Sequence, residues 1–400
     1  MKNTNNKILI LSVLAGSIYF AQNFESLPML GLSLFCKDTL HWGVSDIAYM
    51  GSIIGVAWLI KPIFGFFIER FFTNKTYIIA SLIASCVFAL VMAILPIPIW
   101  YLIGMLAFAN TFTAMRDISI DGIVCTQGKE SNDCGNIQSI QWACSIGAGI
   151  ITSLAGGYIA EHYSYRLSFA LIIPAYLIAL WIALMYKESN KVKDILGKYV
   201  YRVHVKKSLW YHVKSYKILF TNKTFLVCAL MVFIYHFSPR FSTALFFVQR
   251  DSFHWSATFI GIITAIESFL SVVGCLLYWK FNKKFNVHKI FLWSIPAGFL
   301  CNICYLYYTP TFALIYVVYG FFWIVFGLNC LTYMTNNTIK GKETTSFALL
   351  CAVSNIGGMV SNISGGWLFD IVGLNVTIII ASICPFLIIP LLKYTKNKVE

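Results

Sequence analysis

Seven ionisable side chains stand within runs that are otherwise apolar: Glu25, Lys61, Arg116, Asp117, Asp121, Arg240 and Glu267. At the centre of a bilayer such a group costs about 2.5–3.5 kcal/mol on an insertion scale, so it persists where it is paired or wet. Asp117 and Asp121 are four residues apart and share one face of a helix. Arg116 lies about 100° round the same helix. Two chemistries fit. One is a polar site that binds a small solute through carboxylates and cations together. The other is a set of internal ion pairs that hold helices in register, for example Lys61 with Asp117 or Asp121. Acids in a membrane cavity can also carry protons, and Glu25, Asp121 and Glu267 are the candidates for that role.

These side chains need long apolar elements to hold them, and the composition supplies them. The chain of 400 residues is 58% hydrophobic and 12% charged, against about 25% charged in a soluble chain. Its mean hydropathy is +0.74. A spanning helix needs about 20 apolar residues. Twelve candidates follow: 8–35, 46–68, 77–95, 99–124, 136–159, 167–186, 224–249, 257–279, 290–308, 311–335, 344–368 and 374–392. The fold class is therefore an all-α membrane protein. Six spans form an N-terminal bundle over 1–186 and six a C-terminal bundle over 224–400. The basic linker 187–223 joins them, with part of Leu209–Phe220 suited to an amphipathic helix on the membrane surface. Lys2 and Lys7 precede an apolar run, but no small-residue cleavage pattern follows, so the first helix is expected to be retained.

The net charge of +14 is a statement about topology. With the N-terminus in the cytoplasm, 24 of the 30 Lys and Arg fall in cytoplasmic segments. Lys37, Arg166 and Arg250 fall outside. This is the positive-inside pattern, and it points to anionic lipid heads rather than nucleic acid as the partner of the basic loops. Both termini are expected in the cytoplasm and the protein in the plasma (inner) membrane, working as a monomer. The twelve cysteines are scattered, and Cys301 with Cys304 makes an isolated pair that reads as buried apolar surface. No phosphate-cradling loop, HExxH or nucleophile triad is present, so neither a cofactor nor enzymatic activity is expected.

The two halves repeat. Lys37-Asp38-Thr39-Leu40-His41-Trp42 returns as Arg250-Asp251-Ser252-Phe253-His254-Trp255, 213 residues later. Gly147 and Gly157 in the fifth span return as Gly357 and Gly366 in the eleventh. Small residues let helices approach closely, so these glycines are expected at the seams on which two halves rock. A parallel six-plus-six repeat is the major facilitator architecture.

Gly65-Phe66-Phe67-Ile68-Glu69-Arg70, with Lys75 after it, resembles the loop signature of that superfamily, which implies a gating role for Gly65, Glu69 and Arg70. Longer stretches resemble the folate-biopterin transporter family. They are Trp58-Leu59-Ile60-Lys61-Pro62-Ile63-Phe64-Gly65, Asp117-Ile118-Ser119-Ile120-Asp121-Gly122 and Gly135-Asn136-Ile137-Gln138-Ser139 with Trp142. Pro239, Phe246–Trp255, Phe347-Ala348-Leu349-Leu350 and Ser354-Asn355-Ile356-Gly357 complete the set. The resemblance implies a secondary transporter for folate-like or pterin-like molecules, with helices 1, 4, 7 and 10 lining the cavity. Asp117, Asp121, Arg116, Arg240, Lys61 and Glu25 would then converge on the substrate. A pterin offers a ring amine and a ring N–H side by side, which one carboxylate can accept together. A folate adds carboxylates that suit Arg and Lys. The alternative is a facilitator-type permease for another solute, such as a muropeptide or an amino acid, because a fold alone fixes no substrate.

Overall fold

The computed structural model describes residues 2–64, 68, 73–131, 134–187, 191–193, 199–201, 220–281, 287–312, 314–339 and 343–392. Gly65, Glu69 and Arg70 lie outside the described residues, as does the stretch Leu209–Phe220 apart from its last residue. In chain order the helices are α1 (Lys2–Phe24, resuming over 29–39), α2 (Val44–Phe64), α3 (Asn74–Ile94), α4 (Ile99–Ser131), α5 (Cys134–His162) and α6 (Tyr165–Met185). The second half contains α7 (Lys223–Asp251), α8 (Ala257–Phe281), α9 (Val287–Ile303) and α10 (Leu314–Asn336). A final run over 343–392 divides at Gly373, whose φ of 76° only glycine adopts freely, into α11 (343–372) and α12 (374–392).

Among the described residues nine helical segments are long and apolar enough to cross a membrane, and the longest of these contains both α11 and α12. The spans beyond them are α1 and α4, and in α4 the polar content lowers the hydropathy. Helix α1 begins in the polar run before Lys7 and is broken at Glu25; α4 carries Arg116, Asp117 and Asp121. The charges that dilute the apolar signal of α4 are the ones gathered at the site described below. The bounds differ from expectation in two further ways. Helix α4 continues to Ser131 rather than ending at 124. In the linker, Lys191–Lys193 and Tyr199–Tyr201 pair as two antiparallel strands, with Val192 opposite Val200. Valine and tyrosine favour that conformation, and no strand was expected there.

Helices α1 and α7 are interrupted at equivalent points, 25–28 and 238–241. Pro28 and Pro239 each lack a backbone donor there. In lipid, every freed backbone group needs a protein partner. The Leu27 carbonyl lies so close to Gly156 that a Cβ there would stand 2.9 Å away, and the Arg240 carbonyl meets Gly365 more tightly still. The Arg240 N–H donates to the Ser361 carbonyl at 2.9 Å, and the Ser361 hydroxyl donates to the Ser238 carbonyl. The repeated turns match bond for bond. Trp42 N–H donates to the Cys36 carbonyl at 3.1 Å and Trp255 N–H to the Gln249 carbonyl at 2.9 Å. His41 and His254 both hold positive φ, 55° and 53°.

Each half has its own apolar core. One gathers Leu14, Ile18, Leu32, Ile78, Leu82 and Phe169; the other gathers Phe225, Met231, Phe291, Tyr333 and Leu350. The halves meet along two seams. At α5–α8 a Cβ on Gly157 would stand 2.7 Å from the Ala257 carbonyl and 3.1 Å from the Gly261 Cα. At α2–α11 a Cβ on Gly366 would stand 2.9 Å from that of Ala48. The other two glycines sit elsewhere: Gly357 packs on Phe233 and His236 of α7 within its own half, and a Cβ on Gly147 would meet nothing within 4 Å. Exposed Trp100, Tyr101, Trp181, Trp293 and Tyr307 suit lipid and its interface.

The glycine contacts separate two substitutions of equal chemistry. Gly365→Ala forces a methyl onto the α7 carbonyl and should cost about 1–3 kcal/mol, the usual range for overpacking. Gly358→Ala enters open space and should be neutral or slightly stabilising. Thermal unfolding of the purified variants distinguishes them, and equal losses would mean that the α7 break is not held by α11.

Candidate functional site

The fourth helix carries the site. From Thr113 to Asp121 it turns one face toward α1, α2 and α5. Arg116 is 0% exposed. Its guanidinium meets the Glu25 carboxylate at 2.5 Å and donates to the Ser85 hydroxyl of α3 at 3.2 Å. The break in α1 puts Glu25 there, and the Thr113 hydroxyl donates to both of its oxygens, at 3.0 and 2.9 Å. One turn along, Lys61 pairs with Asp117, and Gln22 of α1 donates to the other Asp117 oxygen at 3.2 Å. The Lys61 ammonium also lies 4.4 Å from the centre of the Trp58 ring, a favourable position for a cation. Asp121 differs. Its direct contacts are neutral donors: the Tyr19 hydroxyl at 3.0 Å and the Gln141 amide at 3.4 Å.

Helix α2 reaches this cluster only because it is bent. It tightens into a 3-10 turn over Gly55–Trp58 and bends at 59–60 before Lys61. The freed carbonyls take side-chain donors from both halves. Asn110 of α4 donates to Ile54 at 2.7 Å, and Asn355 of α11 donates to Trp58 at 3.1 Å. Deeper in the first half, a cavity of about 210 Å³ opens between α1, α2, α3, α4 and α6, lined by Gln22, Glu25, Trp58, Asn110, Thr113 and Tyr176 among others. The Gln22 Oε1 is buried with no protein partner among the described residues.

The remaining two candidates occupy the second half. Arg240 is exposed beside the α7 break and forms none of the ion pairs among the described residues. Glu267 of α8 packs on Gly320 of α10. His236 is committed to the Val232 carbonyl at 2.9 Å. Five of the seven charges therefore gather around α4, while Arg240 and Glu267 stand apart in the second half. Tyr19, Gln22, Asn110, Thr113 and Gln141 were missed from the sequence because neutral polar residues in apolar runs carry no charge signal. Asn and Gln within spans were the available hint.

The model of the BT1 family matches residues 22–306, which include all seven charges. The chain belongs to the BT1 family. Two relatives of this BT1-family chain each match 90% of its length. The chain is 25% identical over 389 residues to the "Folate-biopterin transporter" of Synechocystis sp. (strain ATCC 27184 / PCC 6803 / Kazusa), covering 90% of this chain and 75% of that one. It is 22% identical over 432 residues to the "Probable folate-biopterin transporter 4" of Arabidopsis thaliana, covering 90% and 88%. Among solved structures, a D-xylose-proton symporter superposes with a TM-score of 0.74 at 12% identity, over 98% of this chain and 99% of that one. The nucleoside transporter NupG superposes with a TM-score of 0.69 at 16% identity, over 98% and 100%. At these identities the structures establish the fold of this BT1-family member: the major facilitator arrangement of two six-helix halves.

The Glu25–Arg116 pair makes a test of what the buried charges do for stability. Removing one partner of a buried pair strands the other and typically costs about 3–5 kcal/mol. Glu25→Gln and Arg116→Met should each lose that much, and the combined variant should lose less than the sum. Chemical denaturation of the purified protein measures all three. Strict additivity would show that the two side chains do not depend on each other.

Proposed function

We propose that this protein is a secondary transporter that carries folate-like or pterin-like molecules across a membrane by alternating access, with a proton as the coupling ion. The observation that carries the substrate reading is Asp121, a carboxylate among neutral donors, beside a Lys61–Asp117 pair that already balances itself. A ring presenting an amine and an N–H side by side can replace the Tyr19 and Gln141 donors on Asp121. Trp142, whose ring centre lies 6.5 Å from that of Tyr19, offers an apolar face nearby. Arg240, exposed at the α7 break, suits an anionic tail. The names of the two relatives support the same substrate class. Arg116 is sealed against Glu25, so its part is to position α1 rather than to touch substrate.

The bundles 1–186 and 224–400 are the moving bodies in this reading, with 187–223 as a cytoplasmic tether. Gly157 and Gly366 lie on the seams between them, and Gly357 fixes α7 to α11. Asp121 and Glu267 are the proton-carrying groups, while Glu25, held by Arg116 and Thr113, stays in its pair. The protein acts as a monomer in the plasma (inner) membrane with both termini in the cytoplasm. Single-cysteine labelling from outside should then reach positions 41 and 254 and leave 205 untouched, in a background without accessible native cysteines. Labelling at 205 in sealed cells would reverse the topology.

Ligand choice separates the two ends of the site. Losing a buried charge-assisted contact costs about 2–5 kcal/mol, an affinity loss of roughly thirtyfold or more. Arg240→Gln should weaken folate by that much and leave biopterin, which has no carboxylate, nearly unchanged. Asp121→Asn should weaken both. Binding to purified protein, with circular dichroism to check folding, gives the answer. If Arg240→Gln weakens both ligands equally, Arg240 does not hold a tail. If neither ligand binds the unmodified protein, the substrate belongs to another class.

A further inference from the structure

We infer that the repeated motif at the ends of α1 and α7 is a reciprocal latch that closes the outer face of the transporter, and that it sets which way the empty carrier rests. Each copy of the motif holds one cation and one acid. They do not pair only within their own copy but across the halves: Lys37 of the first copy meets Asp251 of the second at 2.5 Å, and Arg250 of the second meets Asp38 of the first at 3.3 Å. The turns that present them are the positive-φ His41 and His254 turns, with matching backbone bonds.

A second pair of contacts at the same face repeats across the halves in the same way. Glu161, at the end of α5, accepts the Thr258 backbone N–H in the first turn of α8 at 2.9 Å. Asp370, at the end of α11, accepts the Ser45 hydroxyl in the first turn of α2. Each acid therefore sits at the N-terminal end of a helix in the opposite half, where the helix dipole favours a negative charge. Glu161 and Asp370 are 209 residues apart and Ser45 and Thr258 are 213 apart, the offsets of the internal repeat. Four inter-half polar contacts thus close this one face, and all must break together when it opens.

These side chains are partly exposed, so any one contact is weak. Asp38 is 46% exposed and Asp251 57%. A surface pair of this kind shifts an equilibrium a few-fold at most. Two pairs that form and break in one motion multiply, to about tenfold or more. That is a suitable strength for a gate, because a tighter latch would slow every cycle.

The inference rests on the alternating-access reading of the preceding section, and its test does not depend on the substrate. Spin labels at positions 163 and 307, both exposed and in opposite halves at this face, report its opening by pulsed electron resonance on the full-length protein. The unmodified protein should show mainly the short distance. Lys37→Ala with Arg250→Ala should raise the long-distance population about tenfold, and Lys37→Asp with Asp251→Lys should restore the short one. An unchanged distance distribution in the double-alanine variant would overturn the latch. So would a charge swap that behaves like the alanine variant while remaining folded. If the latch result holds and no folate or pterin binds, the substrate reading fails alone.

Discussion

The rest of the molecule depends on how α4 keeps three charges where water is scarce. Arg116, Asp117 and Asp121 lie within six consecutive positions of a helix that must pack inside a membrane bundle. Each requires a partner from a different element. The break in α1 delivers Glu25, the bend in α2 delivers Lys61, and α1 and α5 deliver Tyr19 and Gln141. An unbroken α1 would carry Glu25 on through a regular turn, and an unbent α2 would present Lys61 along a straight axis. The irregular backbone of both helices is what lets them meet the charges on α4.

Irregular backbone in a bilayer creates a second demand, because each break frees carbonyls and N–H groups that lipid cannot satisfy. Asn110 and Asn355 meet the α2 bend, and Ser361 and Gly365 meet the α7 break. The glycine pairs Gly156–Gly157 and Gly365–Gly366 have divided tasks. In each pair the first member lies against the broken helix of its own half, and the second lies against the opposite half. A close approach to a carbonyl within one half and a close approach across the seam both exclude a Cβ, so both positions are glycine for different reasons.

Much of this was legible in the sequence, and the limits have physical causes. The spans, the repeat and the charged residues could be read because each depends on residue type and spacing alone. The Lys61–Asp117 pair was one of two open alternatives, since two carboxylates four residues apart look equivalent on a helical wheel; the bend in α2 decides between them. The Glu25–Arg116 pair was not legible, because Glu25 reaches Arg116 only through a turn that the apolar pattern of α1 conceals. The glycines gave the correct helices but not the correct neighbours: Gly147 faces open space, and Gly357 packs within its own half. The cross-pairing of the repeated motif was invisible, since a repeat shows that two turns are alike and not that they touch.

The charge balance of the cluster carries the argument one step further toward mechanism. Glu25 with Arg116 sums to zero, and Lys61 with Asp117 sums to zero. Asp121 is left over, so the five groups around α4 carry one unbalanced negative charge when all are ionised. A proton at Asp121 removes that imbalance, and a donor-rich ligand stabilises the charge by hydrogen bonds to the same carboxylate. The two balanced pairs have no such need and can remain closed through a cycle. Under the proposed function, one site then serves both proton and substrate in turn, while its neighbours act as scaffold. That assignment also accounts for the sequence pattern in which two acids stand four apart: the first is spent on Lys61, and the second remains free to exchange.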